Sequence, residues 1–179
     1  MTTKSTQLSP NARMTMSAAA RTRMRTGEKV VLHYYNDMGP NLGNCTWGVG
    51  ILAHYGVCNH DELERKVSMA DLNKEFERRV AEAEGYVKRG ITKVSLNQEQ
   101  FDGLVSLTYN AGIRNVRGTY GYINDADFDG AAANISKMTK VSIQKNGKRI
   151  LVTAPGLIKR RAEESAPFRT TARQSKDAK

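Results

Sequence analysis

Between residues 68 and 90 the apolar side chains line up on one side of a helix. Leu72, Phe76, Val80, Ala83 and Val87 follow one another at steps of four, four, three and four. This spacing tracks the 3.6-residue turn, so the segment must be a long amphipathic helix laid against a core. Ser68 with Asp71 three residues later supplies a capping-box start, and Gly90 supplies the stop. Upstream, residues 28–55 have a different texture. Aromatic and β-branched residues alternate with Gly39-Pro40, Gly43-Asn44, Gly48, Gly50 and Gly56, which predicts short strands and tight hairpins.

Downstream the helical pattern continues. Ser95 with Gln98 predicts a second capped helix with Phe101, Leu104, Val105, Thr108 and Ala111 on its apolar side, stopped at Gly112. A third helix is expected from Asp127 to Lys137, and a last one from Pro155 through Glu164. Between these two, "KVSIQKNGKRILV" places Asn146-Gly147 between β-branched stretches, a strong hairpin signal. The segment "GTYGYIND" is read as a loop. The fold class is therefore α+β, with a small β-rich lobe and a larger helical one, and a groove between two such lobes is a natural ligand site.

Charge is unevenly spread. The net charge is +10 over 179 residues. Residues 1–25 hold five bases and no acid, and residues 156–179 hold seven bases and three acids, which leaves the middle nearly neutral. Residues 1–25 are read as a basic arm, disordered or helical, ahead of a domain over 26–168 and a basic tail over 169–179. The methionines of the arm, Met14, Met16 and Met24, are assigned no role. Basic ends either are drawn to polyanions such as nucleic acid, anionic lipid or wall polymers, or are simply solvated tails. Mean hydropathy is −0.56, and no apolar run approaches the ~18–20 residues that cross a bilayer. No secretory signal is read in the first 25 residues.

Cys45, His54, Cys58 and His60 lie close together, so zinc must be weighed, but their spacing fits no compact zinc motif and no metal is expected. Two cysteines are too few for a disulfide scaffold; one disulfide and two free thiols both stay open.

The chemistry-bearing candidates are Glu28 and Asp37, which bracket the apolar and aromatic run of "GEKVVLHYYND". Taken alone, a Glu near a helix end and an Asp in an Asn-Asp-x-Gly turn are ordinary structural features. Cleavage of a glycosidic bond nevertheless needs such a pair: a protonated acid for the departing oxygen, and an ionised carboxylate to activate water or stabilise an oxocarbenium-like centre. Val30, Val31 and Leu32 are expected to shield Glu28, while Asp37 stays solvated in its turn, which is the asymmetry that separates the two titrations.

Four blocks in order resemble the phage-type lysozymes, glycoside hydrolase family 24. They are "GEKVVLHYYND", with tyrosine and aspartate seven and nine residues after the glutamate, then "CTWGVG", "LNQEQFDGLVSLTYNAG" and "GLIKRRAEES". The resemblance covers roughly residues 24–168. It implies a lysozyme-like fold with a sugar groove between a β-hairpin lobe and a helical lobe. It implies Glu28 as general acid, Asp37 as second carboxylate and Thr46 as the hydroxyl beside the attacking water. It also implies a muramidase cutting the β-1,4 bond between N-acetylmuramic acid and N-acetylglucosamine in peptidoglycan, an endolysin that brings about host cell lysis, with no metal or organic cofactor.

Two departures stand out. Lys29 follows the glutamate where the family usually has glycine, and eight residues separate Asp37 from Thr46 where it usually has five. Tyr120 and Tyr122 are candidates for sugar contact, and Trp47 for either sugar stacking or core. Arg160 and Arg161 are expected in structural ion pairs, and His33 is a strand residue. The rival readings are a lytic transglycosylase acting on the same bond and a non-catalytic basic envelope-binding protein on a lysozyme fold. The expected partner is peptidoglycan, joined by the anionic envelope through the basic ends, with no specific nucleic acid and a monomeric state. Synthesis in the host cytoplasm and action on the wall in the periplasm are expected; release through membrane holes and packaging in a virion both stay open.

Overall fold

The computed structural model describes residues 9–26, 30–145 and 148–177, with side chains of 144, 145 and 170–177 outside that description. Glu28, Lys29 and the Asn146-Gly147 turn therefore lie outside the described residues. The chain divides into two compact units.

The first unit comprises Ala18–Arg79 and Thr139–Ile158. It begins with helix α1 (Ala18–Thr26) and continues into a three-stranded antiparallel sheet of β1 (Val31–Asn36), β2 (Cys45–Gly48) and β3 (Ile51–His54) in sequential order. Tyr34 pairs with Trp47, Tyr35 with Thr46 and Asn36 with Cys45 across β1 and β2, and an irregularity lies between Val31 and Tyr34. Cys45 and Thr46 of β2, Val49 of the β2–β3 turn and Ile51 of β3 are buried, and the unit's other buried apolar residues include Leu72 and Phe76 of α3 (Met69–Gly90). Short helix α2 (His60–Glu64) starts at Asn59, whose side chain accepts the Glu62 N–H while the Glu62 carboxylate accepts the Asn59 N–H. Lys140–Lys145 and Lys148–Thr153 pair in register as β4 and β5, the hairpin expected from the sequence.

Helix α1 shows why the basic N-terminal stretch is more than charge. Ala20 and Met24 are buried, Arg21 and Arg25 both bond the Glu77 carboxylate, and the Arg25 guanidinium lies 4.7 Å from the centre of the Phe76 ring. Four residues apart, Ala20 and Met24 share one side of the helix, a repeat too short to register against the surrounding polar residues.

The second unit comprises Met1–Ser17, Val80–Met138 and Lys159–Lys179. It contains α4 (Gln98–Ala111), α5 (Ile113–Asn124), α6 (Phe128–Ser136) and most of α7 (Pro155–Asp177). Its core is built from Val80, Val87, Ile91, Phe101, Leu104, Leu107, Val116, Ile123, Ile135 and Phe168. All five positions of the apolar repeat in α3 are buried, as the spacing requires.

Residues 9–17 are stitched onto this unit. Asn11, fully buried, donates to the Ile91 and Val94 carbonyls at 3.1 and 2.9 Å and accepts the Leu96 N–H at 2.9 Å. Met16, also buried, gives its N–H to Glu84 at 2.8 Å. Arg161 and Glu164 form an ion pair in the interior; Arg161 also bonds the Met138 carbonyl at 2.9 Å and the Asn110 side chain, and Glu164 takes Arg160 at 3.1 Å and the Ser106 hydroxyl at 2.6 Å. The ion-pair reading of these arginines is correct, though Glu163 takes Lys159 instead.

Two sequence expectations are corrected. Helix α4 is capped by Asn97 and Gln100, each bonding the other's backbone N–H, and not by Ser95 and Gln98. Gln98 instead donates to the Thr15 carbonyl and to Asp102. The segment "GTYGYIND" is not a loop: residues 118–124 are the second half of α5 and Asp125 is its C-cap. Val116, Thr119, Tyr120 and Ile123 are buried at helical spacing, and Gly118 and Gly121, which suggested a loop, fall between them.

Candidate active site

Thr46 and Trp47 lie on β2, and Asp37 follows directly on β1, so the sheet pairing brings the three into one small region. The chain between Asp37 and Asn44 is a closed loop. Asp37 gives its N–H to the Asn44 carbonyl at 3.1 Å. In return the Asn44 N–H donates to Asp37 Oδ1 at 2.8 Å, and the Asn44 Nδ2 amide to Oδ2 at 3.4 Å. Asn44 also receives the Thr46 hydroxyl on its carbonyl at 3.3 Å and the Gly56 N–H on Oδ1 at 3.3 Å. One side chain and its backbone thus hold the carboxylate and set the threonine relative to it. The Asp37 side chain stays exposed, and a carboxylate has about four acceptor sites, so capacity remains for water or substrate.

Asn44 was not singled out from the sequence, where Gly43-Asn44 read only as a turn. Gly43 has the same hidden role. Its φ is +89°, and a Cβ there would stand 2.1 Å from Asp37 Oδ1. Only glycine lets the backbone turn that tightly against the carboxylate. The loop that is longer than usual is therefore a specific cradle.

Thr46 is buried. Trp47 is half-buried and stacks on Tyr34 with ring centres 6.0 Å apart, and the Arg65 guanidinium lies 5.6 Å from the Tyr34 ring centre. His33, a strand residue as expected, forms an isolated bridge with Lys66. Of the residues expected to shield Glu28, Val30 and Leu32 are exposed, at 46% and 40%, and Val31 is half-buried; Glu28 itself lies outside the described residues. Val30 and Leu32 sit on or beside an edge strand whose register slips between Val31 and Tyr34, so their side chains face solvent.

The two tyrosines part company on α5. Tyr120 is buried, its hydroxyl 2.7 Å from the Thr108 hydroxyl. Burial pushes its phenol up to about 12, against the pull of that hydrogen bond. A Cβ on Gly90 would stand 2.3 Å from the Tyr120 ring, so the missing side chain at the end of α3 makes room for it. Tyr120 is thus a core residue, and its candidacy for sugar contact is withdrawn. Tyr122 is 42% exposed on the same helix.

The thiol question is settled by a Cys45–Cys58 disulfide with Cα atoms 4.6 Å apart. It ties β2 to the entrance of α2, and there are no free cysteines. Beside it, the His54 Nε2 atom lies 2.9 Å from Glu62 Oε1. The Tyr55 carbonyl, and next the Glu62 carboxylate, raise the His54 pKa, and that of Glu62 is lowered by the Asn59 N–H first.

A sequence profile of the phage lysozyme family matches residues 25–164, a span that includes Glu28, Asp37 and Thr46. The chain belongs to that family. An endolysin of Acyrthosiphon pisum secondary endosymbiont phage 1 is 40% identical over 78 residues, which are 42% of this chain. The chain spans about half the length, 51%, of that relative. Among solved structures, the endolysin from Escherichia coli O157:H7 phage FAHEc1 is similar with a TM-score of 0.65 and 26% identity, covering 87% of this chain and 94% of that one. The muramidase domain of SpmX from Asticaccaulis excentricus shares the fold with a TM-score of 0.64 at 23% identity, over 87% of this chain and 98% of that domain. The lysozyme-like α+β fold is therefore shown. Among the described residues no helix is long and apolar enough to cross a membrane.

Proposed function

We propose that the chain is a muramidase that hydrolyses the β-1,4 bond between N-acetylmuramic acid and N-acetylglucosamine of bacterial peptidoglycan. One observation carries the reading: within a span matched by the phage lysozyme family, Asp37 and Thr46 are both fastened to Asn44. Glu28, nine residues before Asp37, takes the role of general acid by its place in the motif. It protonates the departing glycosidic oxygen. Asp37, exposed on its loop, serves as the carboxylate that stabilises the oxocarbenium-like centre or activates water on it. The Thr46 hydroxyl, held on the Asn44 carbonyl, orients that water. Trp47 with Tyr34 offers an aromatic surface next to these groups, and Tyr122 is retained as a sugar contact. The reaction uses protons and charges only, with no step assigned to a metal or organic cofactor.

A water-activating carboxylate favours hydrolysis over transglycosylation, which breaks the same bond without water. Mass spectrometry of the products of purified peptidoglycan decides between them. Ordinary reducing ends support the reading; anhydro ends overturn it. The basic N- and C-terminal stretches supply salt-sensitive attraction to an anionic envelope. Replacing the exposed bases of the N-terminal stretch, Arg13 and Arg23, by glutamine weakens adsorption at low salt and spares turnover on soluble fragments. Deleting the whole stretch is the wrong experiment, because Asn11, Met16 and Met24 are buried.

A further inference from the structure

The Cys45–Cys58 disulfide has company that a purely structural bridge does not need. Among the described residues, Cys45 Sγ, a His54 ring nitrogen and a Glu62 carboxylate oxygen all lie within 4.8 Å of one another. Cys58 Sγ lies outside that group, against the Tyr35 carbonyl at 3.5 Å, but the disulfide holds it 2.01 Å from Cys45 Sγ, so reduction leaves a second thiol beside the three. We propose that Cys45, Cys58, His54 and Glu62 form a zinc site that exists only while the Cys45–Cys58 bond is reduced.

The donor set fits that ion. Two thiolates, one imidazole and one carboxylate make four ligands of the sulfur, nitrogen and oxygen kinds zinc prefers in tetrahedral sites. Ligand atoms around a tetrahedral zinc stand roughly 3.3–3.8 Å apart, given bonds of about 2.0–2.3 Å. The 4.8 Å envelope of the cluster and the 2.9 Å from His54 Nε2 to Glu62 Oε1 are close to that. The two sulfurs, 2.01 Å apart in the disulfide, separate by side-chain rotation once the bond is cut.

The surroundings are arranged as for a ligand set. Cys45 pairs with His54 across β2 and β3, which fixes their spacing. The His54 Nδ1 atom lies 3.1 Å from the Tyr55 carbonyl and Nε2 lies 2.9 Å from Glu62 Oε1, both acceptors; when Nε2 gives up its proton to take the ion, Nδ1 keeps its own on the carbonyl. A backbone carbonyl behind a ligating imidazole is the usual support. Glu62 is steadied by the Asn59 capping box, with Glu62 Oε2 accepting the Asn59 N–H at 2.8 Å and Oε1 left on the His54 side. Cys45 is fully buried and Cys58 nearly so, whereas the His54 side chain is 44% exposed, which gives the ion a way in.

The chemistry balances as follows. A dithiol or phosphine reductant supplies two electrons, and with two protons the disulfide becomes two thiols. Zinc binding then releases both thiol protons as the thiolates coordinate the ion. A small-molecule disulfide reverses the exchange: it takes the two electrons and, with two protons, leaves as two thiols, while the Cys45–Cys58 bond re-forms and the metal is expelled. Either state closes the link from β2 to α2, so the sheet stays clipped in reducing and oxidising surroundings alike.

The test uses the full chain, reduced with a phosphine under anaerobic conditions and titrated with zinc against a chromophoric chelator. The reduced chain is expected to bind one zinc per molecule and the oxidised chain at least a hundredfold more weakly. His54→Ala and Glu62→Gln each weaken binding by at least tenfold, and His60→Ala leaves it unchanged. Glu62→Gln keeps an acceptor for the Asn59 N–H, so capping survives. Cobalt in place of zinc gives the intense visible bands of a tetrahedral thiolate site. Zinc raises the Tm of the reduced chain by about 5–10 °C at a free concentration a hundred times its Kd. If reduction unfolds the chain, zinc restores its circular dichroism. Equal binding by oxidised and reduced chains, unchanged affinity in both the His54 and Glu62 variants, or failure of zinc to stabilise or refold the reduced chain would overturn the proposal. None of these readouts involves wall lysis, so they stand apart from the proposed activity.

Discussion

In the helical unit Asn11, Arg161 and Glu164 are buried, and each commits its polar atoms to named neighbours. In the sheet unit Asp37 is exposed, and among the described residues its carboxylate is held by Asn44. The first arrangement leaves nothing free to react and secures packing. The second keeps a charged group available while fixing where it points. The two units are also closed differently: apolar helix sides and an interior ion-pair network hold one, and a disulfide reinforces the small sheet of the other. Interior polar groups are costly unless paired, whereas a group offered to a ligand keeps acceptor capacity in reserve.

The contrast is tested most severely in the helical unit. Arg161→Ala removes the guanidinium from Glu164, Asn110 and the Met138 carbonyl, leaving a buried carboxylate with Arg160 as its remaining ion-pair partner. Chemical denaturation is expected to show a loss of about 3–5 kcal/mol. A loss below 1 kcal/mol would mean the network is incidental. In the sheet unit the corresponding variant is Cys58→Ser. The bridge spans 13 positions, and opening a loop of that size costs about 3 kcal/mol. No change in Tm on breaking it would show that the sheet holds without the clip.

Gly43→Ala separates activity from stability. The new Cβ meets Asp37 Oδ1 and strains a φ of +89°, so the carboxylate is displaced. Stability falls by about 1–2 kcal/mol, while kcat/KM on peptidoglycan drops at least tenfold, about 1.4 kcal/mol or more in barrier. Equal turnover by this variant would remove Asp37 from the site. The smallest effect concerns Glu75, held by Arg78 first and Arg79 second, with its pKa lowered from 4.5 to about 2. A depressed folded pKa gives stability that is present above pH 4.5 and lost as pH falls from there toward about 2. Because the pair is at the surface, the contribution stays under ~1 kcal/mol. Glu75→Gln flattens the acid limb of the stability curve by that amount; an unaltered limb contradicts it.

What could be read before the structure follows the same division. The α3 repeat was plain because five apolar residues at helical steps all had to be buried. Helix α5 was missed because Gly118 and Gly121 interrupt a repeat that Val116, Thr119, Tyr120 and Ile123 carry. The wrong cap on α4 came from two overlapping Ser/Asn-x-x-Gln patterns, and only tertiary contacts of Gln98 decide between them. Asp37 could be singled out as a candidate because its block stands in order with three others. Asn44 and Gly43 could not, since their part depends on a close approach across a loop that no spacing reveals. Val30 and Leu32 are exposed because an apolar run on an edge strand need not face inward.

The central claim is that one carboxylic acid donates a proton to a glycosidic oxygen while a second carboxylate stays charged nearby. A zymogram on purified peptidoglycan, wild type beside Glu28→Gln, tests it most directly. The expected result is clearing by the wild type and none by the variant, with both retained equally on wall sediment. Equal clearing by the two would contradict the claim, leaving a basic envelope-binding protein on a lysozyme fold as the better description.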